Sequence, residues 1–66
     1  LLVKRSFTLA GHRTSVALEL EFWNALTAIA GRRGCSVAAL VAEVDAARPP
    51  TQPLASALRV HALANR

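Results

Sequence analysis

Residues 13–44 read RTSVALELEFWNALTAIAGRRGCSVAALVAEV: a short alternating stretch, then two helical stretches split at Gly34. In Arg13-Thr14-Ser15-Val16-Ala17-Leu18, strand alternation sends Val16 and Leu18 one way and Arg13, Ser15 and Ala17 the other. A single strand with no partner cannot satisfy its backbone hydrogen bonds or form a stable sheet. A second copy of the chain supplying the partner strand resolves this. The expected product is an intermolecular antiparallel two-stranded ribbon across a dimer axis, with a polar, cationic outer face of a size that enters the major groove of DNA.

The flanking segments extend the pattern. From Lys4 to Ala10 the chain alternates again, with Phe7 and Leu9 on one face and Lys4, Ser6 and Thr8 on the other, until Gly11 supplies a turn or kink. This segment reads as an additional strand beside the ribbon or as an arm that orders on DNA; the strand is favoured because it covers Phe7 and Leu9. Helix one is expected over 19–33, with acidic residues at its positive end, Arg32 and Arg33 in its last turn, and Gly34 as a left-handed cap. Its apolar stripe is Phe22, Leu26, Ile29 and Ala30, with Trp23 on the flank. Ser36 caps a second helix over 36–48 that buries Val37, Leu40, Val41 and Val44; Asp45 and Arg48 pair within it, and Pro49-Pro50 ends it. A third helix is expected over 52–65, with Pro53 in its first turn, an apolar face of Leu54, Ala57, Leu58 and His61, and Val60 and Leu63 widening that face. Residues 1–66 thus read as a single domain, mainly α with a short β-strand region over 4–18.

Composition narrows the function. Hydrophobic residues make up 53% of 66, more than a monomer this small is expected to enclose, which points to an obligate oligomer. The net charge is +4 and doubles in a dimer, favouring a polyanionic partner. Charged residues interrupt every apolar run well short of the ~18 residues of a membrane span, and Leu1-Leu2-Val3 is too short for a signal-peptide core. A chain opening on Leu1 instead of Met is expected of a trimmed or partly ordered product. Cys35 stands alone, which excludes an internal disulfide and fits a cytoplasmic location. His12 and His61 have no third ligand at metal-like spacing, so neither a metal site nor a cofactor is expected. The histidines, the cysteine and the four acidic residues lie on separate elements, with no nucleophile beside a base, so the chain is not read as an enzyme.

The order strand, helix, Gly-x-Ser, helix resembles the ribbon-helix-helix (MetJ/Arc-type) DNA-binding family. The match lies in Thr14-Ser15-Val16-Ala17-Leu18-Glu19, in Phe22, Trp23, Leu26, Ile29 and Ala30, in Gly34-Cys35-Ser36-Val37, and in Leu40-Val41. The stretch from Lys4 to Ser15 and the later Ala57-Leu58-Arg59 look like a small bacterial subgroup with an N-terminal arm and a third helix, so the resemblance covers nearly the whole chain.

The resemblance implies an intertwined homodimer that binds double-stranded DNA as a bacterial transcriptional regulator. Its base-facing strand residues are Arg13, Ser15 and Ala17. Its phosphate site is the helix-two N-terminus, Cys35, Ser36 and Val37, with Arg32 and Arg33 nearby. Lys4, Arg5 and His12 stand as arm contacts. The dimer core implied is Val16, Leu18, Phe22, Trp23, Leu26, Ile29, Val37, Leu40, Val41 and Val44. Ala17 departs from the family pattern, because a methyl group touches at most a thymine methyl where a long polar side chain is usual. Two rival readings follow: an antitoxin whose third helix binds a protein partner, or a dimeric protein-interaction module that has lost DNA binding.

Overall fold

The computed structural model describes residues 1–66 and gives five elements: β1 (Leu2–Leu9), β2 (His12–Glu19), α1 (Leu20–Arg33), α2 (Val37–Ala47) and α3 (Leu54–Ala64). The strand expected to lack a partner in its own chain has one. β1 and β2 pair antiparallel from Leu2↔Glu19 to Leu9↔His12, closing on the two-residue turn Ala10-Gly11. Both turn residues have positive φ, 50° and 80°, as a type I′ hairpin turn requires. Gly11 takes that geometry freely, whereas Ala10 holds it against the steric penalty of its Cβ. The segment read as strand or arm is therefore a strand, and the β content is two eight-residue strands rather than one short one.

The hairpin has one dry face and one wet face. Val16, Leu18 and Leu9 are buried, and Val3 and Phe7 pack against the same core. Beneath them α1 presents Trp23, Leu26, Ile29 and Ala30. Trp23 is the centrepiece rather than a flanking residue: it is fully buried, its indole Nε1 donates to the Val3 carbonyl at 2.8 Å, and its ring lies 5.8 Å from that of Phe7. Phe22, one residue earlier and about 100° around the helix, is only half-buried.

The helix ends follow from local chemistry. Gly34, at φ 69°, places its N–H on the Gly31 carbonyl, and the Cys35 N–H reaches the Ala30 carbonyl, a Schellman closure that satisfies the last turn of α1. The Ser36 Oγ accepts from the Ala39 N–H at 3.0 Å and opens α2, which ends at Ala47 with Arg48 as its cap. Helices α1 and α2 meet at 98°. Pro53 lies outside α3 as its N-cap, where a residue with no N–H leaves no donor unpaired.

Helix α3 returns to close the core with Ala57, Leu58 and Ala62, alongside Leu54. Val60 and Leu63 do not widen that face: each is 55% exposed, because Leu54, Leu58 and Ala62 at four-residue spacing define the inward stripe and turn Val60 outward. Arg59 fastens α3 to the hairpin, with its guanidinium 3.0 Å from the Glu19 carboxylate and over the Phe22 ring. All thirteen buried residues are hydrophobic. Eight of the ten residues expected in a dimer core are buried within one chain; Phe22 and Val37 are partly covered. The hairpin supplies a lid that a lone strand would not, yet Leu1, Leu2, Leu20, Val60 and Leu63 remain exposed on the single chain.

Candidate nucleic-acid interface

The wet face of the hairpin carries two columns of side chains. On β2 these are Arg13, Ser15 and Ala17, the three residues expected to face outward; on β1 they are Lys4, Ser6 and Thr8. The register sets Lys4 opposite Ala17, Ser6 opposite Ser15 and Thr8 opposite Arg13. The two serine hydroxyls lie 3.0 Å apart, and the Arg13 guanidinium reaches the Thr8 hydroxyl at 3.5 Å, a long contact. The one acidic residue with this face's parity is Glu19, at the far end of β2 opposite Leu2, and its carboxylate is held by Arg59; neither Lys4 nor Arg13 has a carboxylate partner. Such a surface offers cations and hydroxyls and suits a partner rich in anions and hydrogen-bonding edges.

Of the three residues read as arm contacts, only Lys4 lies on this face. Arg5 belongs to the opposite side of β1, its guanidinium 5.0 Å from the Trp23 ring centroid, a cation–π contact. His12 has the parity of Val16 and Leu18 and sits exposed beside the turn. Ser6 and Thr8 were missed as site residues. Their alternation was readable, but their place beside Ser15 and Arg13 depends on Ala10-Gly11 being a two-residue turn.

The start of α2 is a second candidate contact. The amides of Ser36, Val37 and Ala38 have no hydrogen-bond partner in the chain, while the Cys35 amide is engaged by Ala30. Of the expected set Cys35, Ser36 and Val37, Cys35 thus has no free donor, and Ala38 has one that sequence reading passed over. Three free N–H groups at a helix N-terminus form an anion-binding arrangement.

Arg32 and Arg33 stand differently. The Arg32 guanidinium donates to the Asn65 carbonyl at 2.6 Å, and Arg33 meets both oxygens of Glu43 at 2.6 and 2.8 Å. The Arg33 hydrogen bond holds the Glu43 carboxyl below its ordinary range and pushes the Arg33 guanidinium up. Glu19 is likewise held low, by its own backbone N–H and then by Arg59. No group of His, Cys, Asp and Glu side chains is arranged to hold a metal ion. No single helix is long and apolar enough to cross a membrane.

A two-stranded antiparallel sheet followed by three helices, with a polar face outside and an apolar floor inside, is consistent with a small β-ribbon fold. The family model for the ribbon-helix-helix domain matches residues 2–65, and the chain belongs to that family. Domains of this family generally bind DNA as dimers, as transcription regulators or antitoxins, and are not enzymes. Comparison with curated proteins and with solved structures finds no match.

Proposed function

We propose that this chain is a sequence-specific DNA-binding protein, a bacterial transcriptional regulator acting as a homodimer. The unpaired edge of β2 joins the same edge of a second copy, and the joined strands enter the major groove. Arg13 donates to guanine O6 and N7, Ser15 bonds a neighbouring base edge, and Ala17 packs on a thymine methyl. The free amides of Ser36, Val37 and Ala38 hold phosphates beside the groove. The observation that carries this reading is an outer face with Arg13 and Ser15 at its centre, its cations unpaired and its one acidic residue, Glu19, neutralised by Arg59, backed by an apolar floor.

β2 is taken as the joining edge because it carries Arg13, Ser15 and Ala17 and no strand lies along its outer side. A register that keeps Arg13, Ser15 and Ala17 of both copies on one face is also enforced, because a one-residue slip would expose Val16 and Leu18.

Selection of bound sites from a random duplex pool tests the proposal. An enriched inverted or tandem motif is expected, and a pool that stays random contradicts sequence-specific binding. Affinity falls steeply with salt: a dimer meeting about six phosphates loses roughly a thousandfold over a fourfold rise in salt.

A second reading, an antitoxin, is favoured by one observation. Val60 and Leu63 stand exposed on α3, and a cleft of about 270 Å³ lies between α2 and α3, lined by Val44, Pro49, Val60 and His61 among others. The buried Nε2 of His61 has no hydrogen-bond partner. A neighbouring toxin gene and co-purification of its product with the chain would favour this reading. A chain that shows no retardation of random DNA in a low-salt gel shift would instead be a protein-interaction module.

A further inference from the structure

The hairpin directs two columns outward, and their distances from a dimer axis differ. Neighbouring strands of a sheet lie about 4.8 Å apart, so in a pair of β2 strands each β2 runs about 2.4 Å from the axis and each β1 about 7 Å from it. The major groove is about 12 Å wide, which sets its walls about 6 Å from its centre line. Four strands are therefore too many for the groove floor. The two β2 columns lie over base edges, and the two β1 columns lie over the sugar–phosphate walls.

We infer that the outer column of β1 is a phosphate rail for duplex DNA, with Lys4 as its charged contact. This inference rests on the DNA-binding dimer proposed above. The side chains of the rail divide the work. Ser6 and Thr8 are turned toward β2, where they hold the Ser15 hydroxyl and the Arg13 guanidinium. Lys4 has only the methyl group of Ala17 across from it and no carboxylate partner. Its ammonium is thus free to meet an anion. The long cationic side chain that β2 lacks at Ala17 stands one strand further out, at the wall instead of the floor. Specificity then falls to β2, and a share of affinity falls to β1.

Arg5 provides the internal control. It is one residue away on the same strand and carries the same charge, but lies on the opposite face over Trp23. Binding of labelled duplexes of several sequences is measured by fluorescence anisotropy against salt for the wild type, Lys4→Gln, Lys4→Arg and Arg5→Gln, with Trp23 fluorescence reporting that each variant is folded. Lys4→Gln is expected to reduce the magnitude of the salt slope by about two per dimer and to weaken all sequences by one common factor. Lys4→Arg is expected to restore the slope, and Arg5→Gln to leave it near the wild-type value.

An unchanged slope in Lys4→Gln overturns the inference. So does a loss confined to particular sequences, which would make Lys4 a base reader, or an equal loss in Arg5→Gln, which would reduce the effect to net charge. Wild-type protein that fails to bind any duplex at low salt removes the DNA-binding reading itself, whereas wild-type binding with an indifferent Lys4 removes the rail alone.

Discussion

Two cationic regions of this small domain look alike in sequence and differ in structure. Arg32 and Arg33 at the end of α1 form the densest positive run in the helices, yet both are engaged within the chain, by the Asn65 carbonyl and by Glu43. Lys4 and Arg13 are separated by nine positions, yet share one face on which neither is paired with a carboxylate, the Glu19 at its end being taken by Arg59. A cation already paired must give up its partner to meet a phosphate, whereas an unpaired one exchanges only water and counterions. Unpaired charge, rather than charge density, therefore distinguishes the face proposed as the interface.

The largest way to break the contrast is to remove the floor under the hairpin. Trp23→Ala should destabilise the fold by about 3–5 kcal/mol, much of the stability available to a domain of this size, and abolish DNA binding together with cooperative thermal unfolding. Retained binding by a Trp23→Ala chain would show that the outer face does not depend on its core.

Next comes Arg13→Ala, expected to remove about 1–3 kcal/mol of discrimination at one base position while leaving thermal stability near wild type. Competition binding with single-base variants of a selected site reads this out. A uniform loss on every sequence would reassign Arg13 to phosphate. Arg33→Ala, by comparison, should change DNA affinity little and mainly release Glu43.

Much of the fold was legible in the sequence, and the exceptions have physical causes. Gly34 and Ser36 marked their helix ends because left-handed caps and side-chain N-caps depend on residues only a few positions apart. The outward set Arg13, Ser15 and Ala17 was legible for the same reason, since alternation is local. The partner of β2 was harder to read. Alanine rarely takes positive φ, so Ala10-Gly11 lacks the Asn-Gly signature of a two-residue hairpin turn, and without that turn the β1–β2 register stays open. The engagement of Arg32 by Asn65 and of Arg33 by Glu43 depends on α3 and α2 folding back, 33 and 10 residues away, which no local pattern encodes. The exchange of roles between Phe22 and Trp23 turned on about 100° of helix rotation relative to a sheet whose position was not yet known.

The strained turn offers a gain-of-stability test. Ala10→Asn should stabilise the hairpin by up to about 1 kcal/mol, because Asn tolerates positive φ and Asn-Gly is the preferred type I′ pair. The thermal midpoint should rise while DNA specificity stays as in the wild type. A fall in the midpoint would contradict the turn.

The smallest expected effect concerns acid. Glu19 and Glu43 are held low in the folded chain, so their stabilisation is present above the unfolded glutamate value of about 4.3 and is lost as pH falls through their folded values. The thermal midpoint should be flat between about pH 5 and 7 and decline below about pH 4.3, less steeply in Arg33→Ala. Identical acid profiles for the two proteins would mean that the Arg33–Glu43 pair is not maintained in solution.

The account depends above all on what lies along the outer edge of β2. A mixture of isotope-labelled and unlabelled chains, examined by NMR for cross-strand contacts between copies, reports this directly. The expected result is intermolecular backbone contacts along residues 13–18, together with slowed exchange of the outward amides of β2. A chain that remains monomeric at high concentration, with β2 protected only on the side facing β1, would contradict it.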